Sequence, residues 1–262
     1  MEIITSSKNE KIKNITALLS TKKERDKQGL FVIEGLRIFQ DTLKTAPSYI
    51  KDIFVSESFL KEHPETEILS GTDEKEVKLY PVKDSIFDSI SGTVTPQGIL
   101  CTVKKPGHSL EEILTDAKKL LVLENIQDPG NLGTMLRTAE AAGVSGIVLS
   151  RDCADIYNPK VIRSTMGSVF RVPFVYVPSF TEALRSIKEQ GITVYAAYLH
   201  GGESVSGVQF DEKCAIMIGN EGNGLSDTAV AEADKRVFIP MAGQIESLNA
   251  AIAAAILLFH GV

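Results

Sequence analysis

Apolar side chains recur at helical spacing near the start of the chain, at Ile12, Ile15, Leu18 and Leu19, with Lys8, Lys11 and Lys13 between them. This pattern predicts an amphipathic helix, running into a basic exposed turn that carries Lys22, Lys23, Arg25 and Lys27. Short apolar runs at 31–33, 52–55, 77–82 and 98–103 then read as strands, with helices over 34–45 and 84–90. Such alternation describes a small α/β domain. Lys104 to Gly107 breaks the rhythm before an acidic helix at 110–117. The expected division is therefore a first domain over 1–105, a linker and lead-in helix over 106–117, and a second domain over 118–262.

The second domain is organised around residues 121–150. An apolar run, Leu121-Val122-Leu123, gives way to the breaker sequence Asp128-Pro129-Gly130-Asn131. A helix follows over 132–142, with Leu132, Met135, Leu136 and Ala139 on its apolar face, and Gly143 stops it before a strand at 146–149. This is the strand, turn, helix, strand unit of parallel sheets. Further strands at 174–177, 193–198, 214–218 and 237–239 alternate with helices near 159–164, 181–189, 226–231 and 248–259, so a predominantly parallel sheet covered on both faces is expected. The final helix is apolar almost all round. Leu248, Ile252, Ile256 and Phe259 occupy one face, while Ala250, Ala253 and Ala254 occupy much of the other. That suits an element held between a sheet and a second subunit.

Composition narrows the function classes. With 262 residues, 43% hydrophobic and 24% charged, the chain has room for two globular domains. Its longest apolar run, 250–259, is too short to span a membrane, and no apolar segment follows the N-terminal lysines as a signal peptide requires. Cys101, Cys153 and Cys214 form no Cys-x-x-Cys pair, which fits reduced thiols and a cytoplasmic location. His63, His108, His200 and His260 show no ligand spacing, so no metal site is expected. The net charge of −6 argues against general polyanion binding and against DNA. Only residues 1–30 are net basic, with seven Lys or Arg against four Asp or Glu. Contact with nucleic acid should therefore be local and directed by shape.

Ligands of open α/β sheets bind beyond the carboxyl ends of the strands, and three loops there are rich in Gly, Asn and charge. They are NIQDPGNLGTMLRTA (125–139), IGNEGNGLS (218–226) and IPMAGQIESLNAAIAAA (239–255). The glycine order of the second is not the Gly-x-Gly-x-x-Gly of a dinucleotide fold, and no P-loop motif occurs. Taken singly, each loop is compatible with an ordinary tight turn.

Together, and in this order, the three loops resemble the signature motifs of the SpoU (TrmH-like) family of RNA 2′-O-methyltransferases in the SPOUT class. Asn131 and Arg137 match the first motif, Glu221 the second, and Ser247 with Asn249 the third. The opening segment also resembles the small RNA-binding domain that precedes the catalytic domain in many members, with Arg25, Glu34 and Gly35 at its recognisable positions. Glu124 departs mildly from the Asp frequent in relatives. The resemblance implies a C-terminal trefoil knot, a homodimer, and S-adenosylmethionine held by Gly219, Ile239 and Leu248, with Leu199 and Met241 in the same pocket. It also implies a structured RNA substrate, with ribosomal RNA favoured over transfer RNA by the presence of the N-terminal domain. The segment 158–171, with Lys160, Arg163, Ser168 and Arg171, reads as an RNA-contacting wall.

In the family the matching arginine is proposed to take the hydroxyl proton. A guanidinium, with a pKa above about 12, is a poor base. The physical expectation is instead that Arg137 clamps the adjacent phosphate, that Glu221 and Asn131 fix Arg137 and the ribose, and that Ser247 and Asn249 complete the frame around the target nucleotide. A non-catalytic RNA-binding relative is the alternative of a different class; a nucleotide-dependent oxidoreductase fails on glycine order.

Overall fold

The computed structural model describes residues 2–73 and 76–260. They form two compact units, 1–106 with 157–170, and 107–156 with 171–262.

The first unit opens with α1 (Glu10–Ser20) and α2 (Lys22–Gln28), so the basic stretch expected as a turn is a helix of its own. Thr21 accepts from the Glu24 amide at its start, and Gly29 ends it in the left-handed conformation. Then come β1 (Leu30–Glu34), α3 (Leu36–Thr45), β2 (Ile50–Ser56), α4 (Glu57–Glu62), α5 (Glu65–Leu69), β3 (Lys78–Val82), α6 (Asp84–Ile90) and β4 (Ile99–Lys104). The helices α4 and α5, less than two turns each, are too short for apolar periodicity to reveal. The strand order is β1-β4-β2-β3, with β4 antiparallel to both β1 and β2, and β3 parallel to β2. Ile12, Ile15 and Leu18 of α1 pack with Leu30, Val32, Phe54 and Leu100 in one apolar cluster.

In the second unit, α7 (Leu110–Leu114) starts with a capping box in which Ser109 and Glu112 satisfy each other's amides. It leads into β5 (Lys119–Leu123), α8 (Pro129–Ala141) and β6 (Gly146–Ser150). The chain then contributes α9 (Pro159–Thr165) to the first unit, where the ring of Tyr157 lies 4.8 Å from that of Phe31. It resumes the second with β7 (Phe174–Val177), α10 (Phe180–Glu189), β8 (Thr193–Ala197), β9 (Glu203–Ser204), β10 (Cys214–Ile218), α11 (Asp227–Glu232), β11 (Lys235–Phe238) and α12 (Ala250–Phe259). The seven strands run β7-β6-β5-β10-β8-β11-β9, and their pairings are parallel. Every residue of β6 and β10 is buried, as a sheet covered on both faces demands.

The last helix packs against α8 and β10. It buries Ala251, Ala254, Leu257 and Leu258 there, whereas Ile252, Ile256 and Phe259 of the expected apolar stripe are exposed. All three cysteines are buried and unbridged, and burial pushes each thiol above its ordinary value. Among the described residues no helix is long and apolar enough to cross a membrane, and no cluster of His, Cys, Asp or Glu could hold a metal ion.

Candidate active site

The first loop is shaped by its own side chains. Asp128 caps α8 by accepting from the Asn131 amide at 2.8 Å, with Pro129 in the first turn, where a missing N–H costs nothing. Asn125 takes a left-handed backbone, φ 54°, and its amide donates to Ser150 Oγ at 2.8 Å.

The second loop is a closed hairpin. Asn220 and Gly224 exchange main-chain bonds of 3.0 and 2.9 Å, and Asn220 Oδ1 accepts from the amides of Gly222 and Asn223. Glycine is required at 219, because a Cβ there would lie 2.2 Å from the Gly224 carbonyl carbon. The hairpin is tied to the first loop by Asn220 Nδ2, which donates to the Asn125 carbonyl at 2.8 Å. Glu124 fastens the base of the same region by accepting from the amide and hydroxyl of Ser226 at 2.8 and 2.6 Å.

Three of the five catalytic candidates form one hydrogen-bonded chain across the three loops. Glu221 accepts from the Gln127 amide at 3.1 Å, and from the Asp128 amide and Asn131 Nδ2 at 3.0 Å each. Asn131 Oδ1 in turn accepts from Asn249 Nδ2 at 2.9 Å. Asn249 also caps α12, its Oδ1 accepting from the amides of Ala251 and Ile252. Burial alone would raise the Glu221 pKa, but the bonds from Asn131, Gln127 and Asp128 outweigh it and hold the carboxyl below its usual range.

Arg137 is exposed and makes no hydrogen bond or ion pair among the described residues. Glu221 and Asn131 therefore do not fix Arg137, as the sequence suggested. Their partners are the loop amides and Asn249. Ser247 is likewise exposed and unbonded. It lines a cleft of about 480 Å³ beyond the carboxyl ends of β8, β10 and β11, together with Gly219, Ile239, Leu248, Leu199, Met241 and Glu221. The cleft also takes in Asp227 and Glu246, two carboxylates that nothing in the sequence singled out. Nor does the sequence reading single out Asn220. Its Asx-type bonding to amides two and three residues on is a recognised turn signature and could have revealed it.

The RNA-contacting candidates separate sharply. Arg25 is buried, and its guanidinium donates to the carbonyls of Leu18 and Leu19 at 2.6 and 3.4 Å, closing the end of α1. Helix ends leave such carbonyls unpaired and carry partial negative charge, so this cation belongs to the fold and is not an RNA contact. Ser168 is fully buried and donates to the Thr165 carbonyl at 2.7 Å, so it is not one either. Arg171 is engaged by both carboxylate oxygens of Glu140. Lys160 and Arg163 remain exposed on α9. In the first unit Glu34 accepts from the Ser91 hydroxyl, the Gly92 amide at 3.0 Å and Thr93 Oγ1 at 2.8 Å. Its neighbour Gly35 adopts φ 110°, and Gln97 Oε1 accepts from the Leu36 amide at 2.9 Å. The Glu-Gly pair thus shapes the loop before β4.

A seven-stranded parallel sheet with three interlocked polar loops beside a cleft of mixed apolar and carboxylate lining is the architecture of a SPOUT-class methyltransferase. The model of the SpoU rRNA Methylase family matches residues 118–259, and that of an MRM3-like substrate binding domain matches residues 9–101. The chain belongs to the SpoU rRNA methylase family. It is 39% identical to the 23S rRNA (guanosine(2553)-2′-O)-methyltransferase RlmP of Bacillus subtilis, over 99% of each chain. To the 23S rRNA (guanosine-2′-O-)-methyltransferase RlmB of Bordetella pertussis it is 29% identical, over 88% of this chain and 96% of that one. Its structure resembles an AdoMet-bound rRNA methyltransferase from Sinorhizobium meliloti with a TM-score of 0.88 and 30% identity, covering 99% and 96% of the two chains.

Proposed function

We propose that this chain transfers a methyl group from S-adenosylmethionine to the 2′-hydroxyl of a ribose in ribosomal RNA. The observation that carries the reading is the chain of bonds Asn249–Asn131–Glu221, which joins all three loops beside a cleft of cofactor size. The names of the relatives, ribosomal RNA 2′-O-methyltransferases, supply the substrate class.

The residues present fit the cofactor. A volume of about 480 Å³ lies within the range of small-molecule sites, roughly 300–1,000 Å³. Leu199, Ile239, Met241 and Leu248 offer apolar surface for an adenine ring, and Asp227 and Glu246 offer negative charge to a cationic ligand and acceptors to ribose hydroxyls. When bound, S-adenosylmethionine supplies an electrophilic methyl group on a sulfonium.

Everything else falls to the chain. Arg137, exposed and unpaired, grips the phosphate beside the target and so orients the hydroxyl. Neither it nor Glu221 is a base: the guanidinium keeps its protons, and the carboxylate is already occupied by three N–H donors. The hydroxyl proton goes to water. Ser247, unbonded at the cleft, is free to hydrogen-bond the target nucleotide. Lys160 and Arg163 supply phosphate contacts.

A second copy of the chain covers Ile252, Ile256 and Phe259, three apolar side chains otherwise left to water on α12. Support for the C-terminal knot comes from the path of the chain, which leaves β11 near one edge of the sheet and returns in α12 to its middle, against β10. Three unbridged thiols fit the cytoplasm.

The test is transfer of tritiated methyl from S-adenosylmethionine into ribosomal RNA from a strain lacking the gene. Label should appear as an alkali-resistant dinucleotide and fall about a thousandfold in Arg137→Ala, with cofactor affinity unchanged. Cofactor binding without transfer to RNA would overturn the reading.

A further inference from the structure

We propose that a second cleft receives a nucleotide of the RNA flanking the one that is methylated, a proposal that rests on the reading above. This cleft holds about 360 Å³ and shares Asn220, Asn223, Gly224 and Leu225 with the cofactor cleft. The hairpin of the second loop is therefore a wall common to both.

Its place in the fold is the first argument. From β5 the chain builds outward through β6 to β7, whereas β10, β8 and β11 lie on the other side of β5. The strand order thus reverses between β5 and β10, and in open parallel sheets the crevice beyond the carboxyl ends at such a point is where ligands bind. The cofactor cleft does not use this crevice; it lies beyond β8, β10 and β11. The second cleft does, with Glu124 and Asn125 after β5, Ser150 and Arg151 at the end of β6, and Asn220 after β10.

Its lining is the second argument. Arg151 is exposed and has no hydrogen-bond or ion-pair partner among the described residues. The Glu124 carboxylate accepts from Ser226 and forms no ion pair with Arg151 among the described residues. Half-buried Phe180 supplies an aromatic surface, and the side chains of Asn223 and Asp152, also without partners, supply hydrogen-bonding groups for a base edge or a ribose hydroxyl. A phosphate-seeking cation, an aromatic ring and unengaged polar groups around a space of this size fit a nucleoside monophosphate unit. Its source is the RNA strand because the same loop that forms the cleft at Asn125 continues to Gln127, Asp128 and Asn131, which Glu221 holds in the catalytic frame.

The test uses the full chain, with Arg151→Ala and Phe180→Leu, the latter keeping apolar bulk against the core. Each should raise KM for ribosomal RNA five- to tenfold and the pair at least thirtyfold, with kcat and cofactor affinity by calorimetry within twofold of wild type. Free nucleoside 5′-monophosphates should bind only at millimolar concentration. An unchanged KM overturns the proposal, as does a loss of cofactor affinity equal to the rise in KM. Micromolar binding of a free nucleotide with KM unchanged would make this a mononucleotide site instead. Should the wild type transfer no methyl to RNA, the underlying reading fails separately. Filter binding of ribosomal RNA then decides the cleft, since both variants must still weaken it.

Discussion

The second and third loops of the candidate site are both glycine-bearing and both line the same cleft of about 480 Å³, yet they are held in opposite ways. Residues 220–224 close on themselves through main-chain bonds, an asparagine that takes two amides, and a glutamate that takes three donors from the first loop. Residues 240–248 make no hydrogen bond among the described residues, and the next bonded side chain is Asn249. A wall built in advance demands no ordering when ligand arrives, whereas an unpinned segment pays that cost at binding and can yield for entry and release. The difference teaches that the second loop is held by its own hydrogen bonds, whereas the third is hydrogen-bonded only at its Asn249 end.

The strongest challenge to that contrast is Gly219→Ala. Its Cβ would press on main-chain atoms of Gly224 and Leu225 at 2.2–2.3 Å, and main chain cannot swing aside. A loss of about 3 kcal/mol is expected, at the upper end for overpacking, with cofactor affinity down at least tenfold. A melting temperature equal to wild type would show that the hairpin is soft after all.

Asn249→Ala comes next. Losing the cap costs about 1 kcal/mol, and Asn131 Oδ1 loses its donor while Nδ2 keeps Glu221. Asn249→Asp restores an acceptor for the α12 amides but not the donor to Asn131, so it should recover stability without recovering methyl transfer. If both return together, the bond to Asn131 carries no function.

A smaller effect is the pH dependence of Glu221. Its folded pKa lies below the ordinary glutamate value of about 4.3. Its contribution is therefore complete above that value and is lost as pH falls through the lower folded one. Melting curves from pH 7 to 3 should show a step below about pH 4.3 that is absent in Glu221→Gln, modest because the residue is largely exposed to screening solvent. The least effect belongs to Gly243→Ala in the unpinned loop. No atom lies within 4 Å of the added carbon, so stability should move by less than about 0.5 kcal/mol.

Much of the scaffold could be read before any coordinates. β10 falls where a continuous apolar run of strand length placed it, because a strand buried on both faces needs no polar alternation. The α8 start is also local, since Asp128, Pro129 and Asn131 meet within one turn, but the helix begins at Pro129, three residues before its apolar face suggests, because the Asp128 cap and a proline at the first position already fit a helix. The three loops were identifiable because turn chemistry demands Gly and Asn in a few positions.

Side-chain destinations were a different matter. Arg25 and Arg137 look alike along the chain, each a cation among helix formers. One is buried against the carbonyls of Leu18 and Leu19, and the other has no partner among the described residues, because only the packing of α2 on α1 brings orphan carbonyls to the first. Composition declared α12 apolar throughout, but which side is buried depended on elements distant in the chain, β10 and, more than a hundred residues away, α8. The meeting of Glu221 with Asn131 and of Asn131 with Asn249 spans 90 and 118 residues of chain. Local residue chemistry determines helices, strands and turns, because propensity and capping act within a few positions. The pairing of charges and amides across loops belongs to the tertiary structure, because a hydrogen bond forms only between groups that the whole fold has brought within about 3 Å.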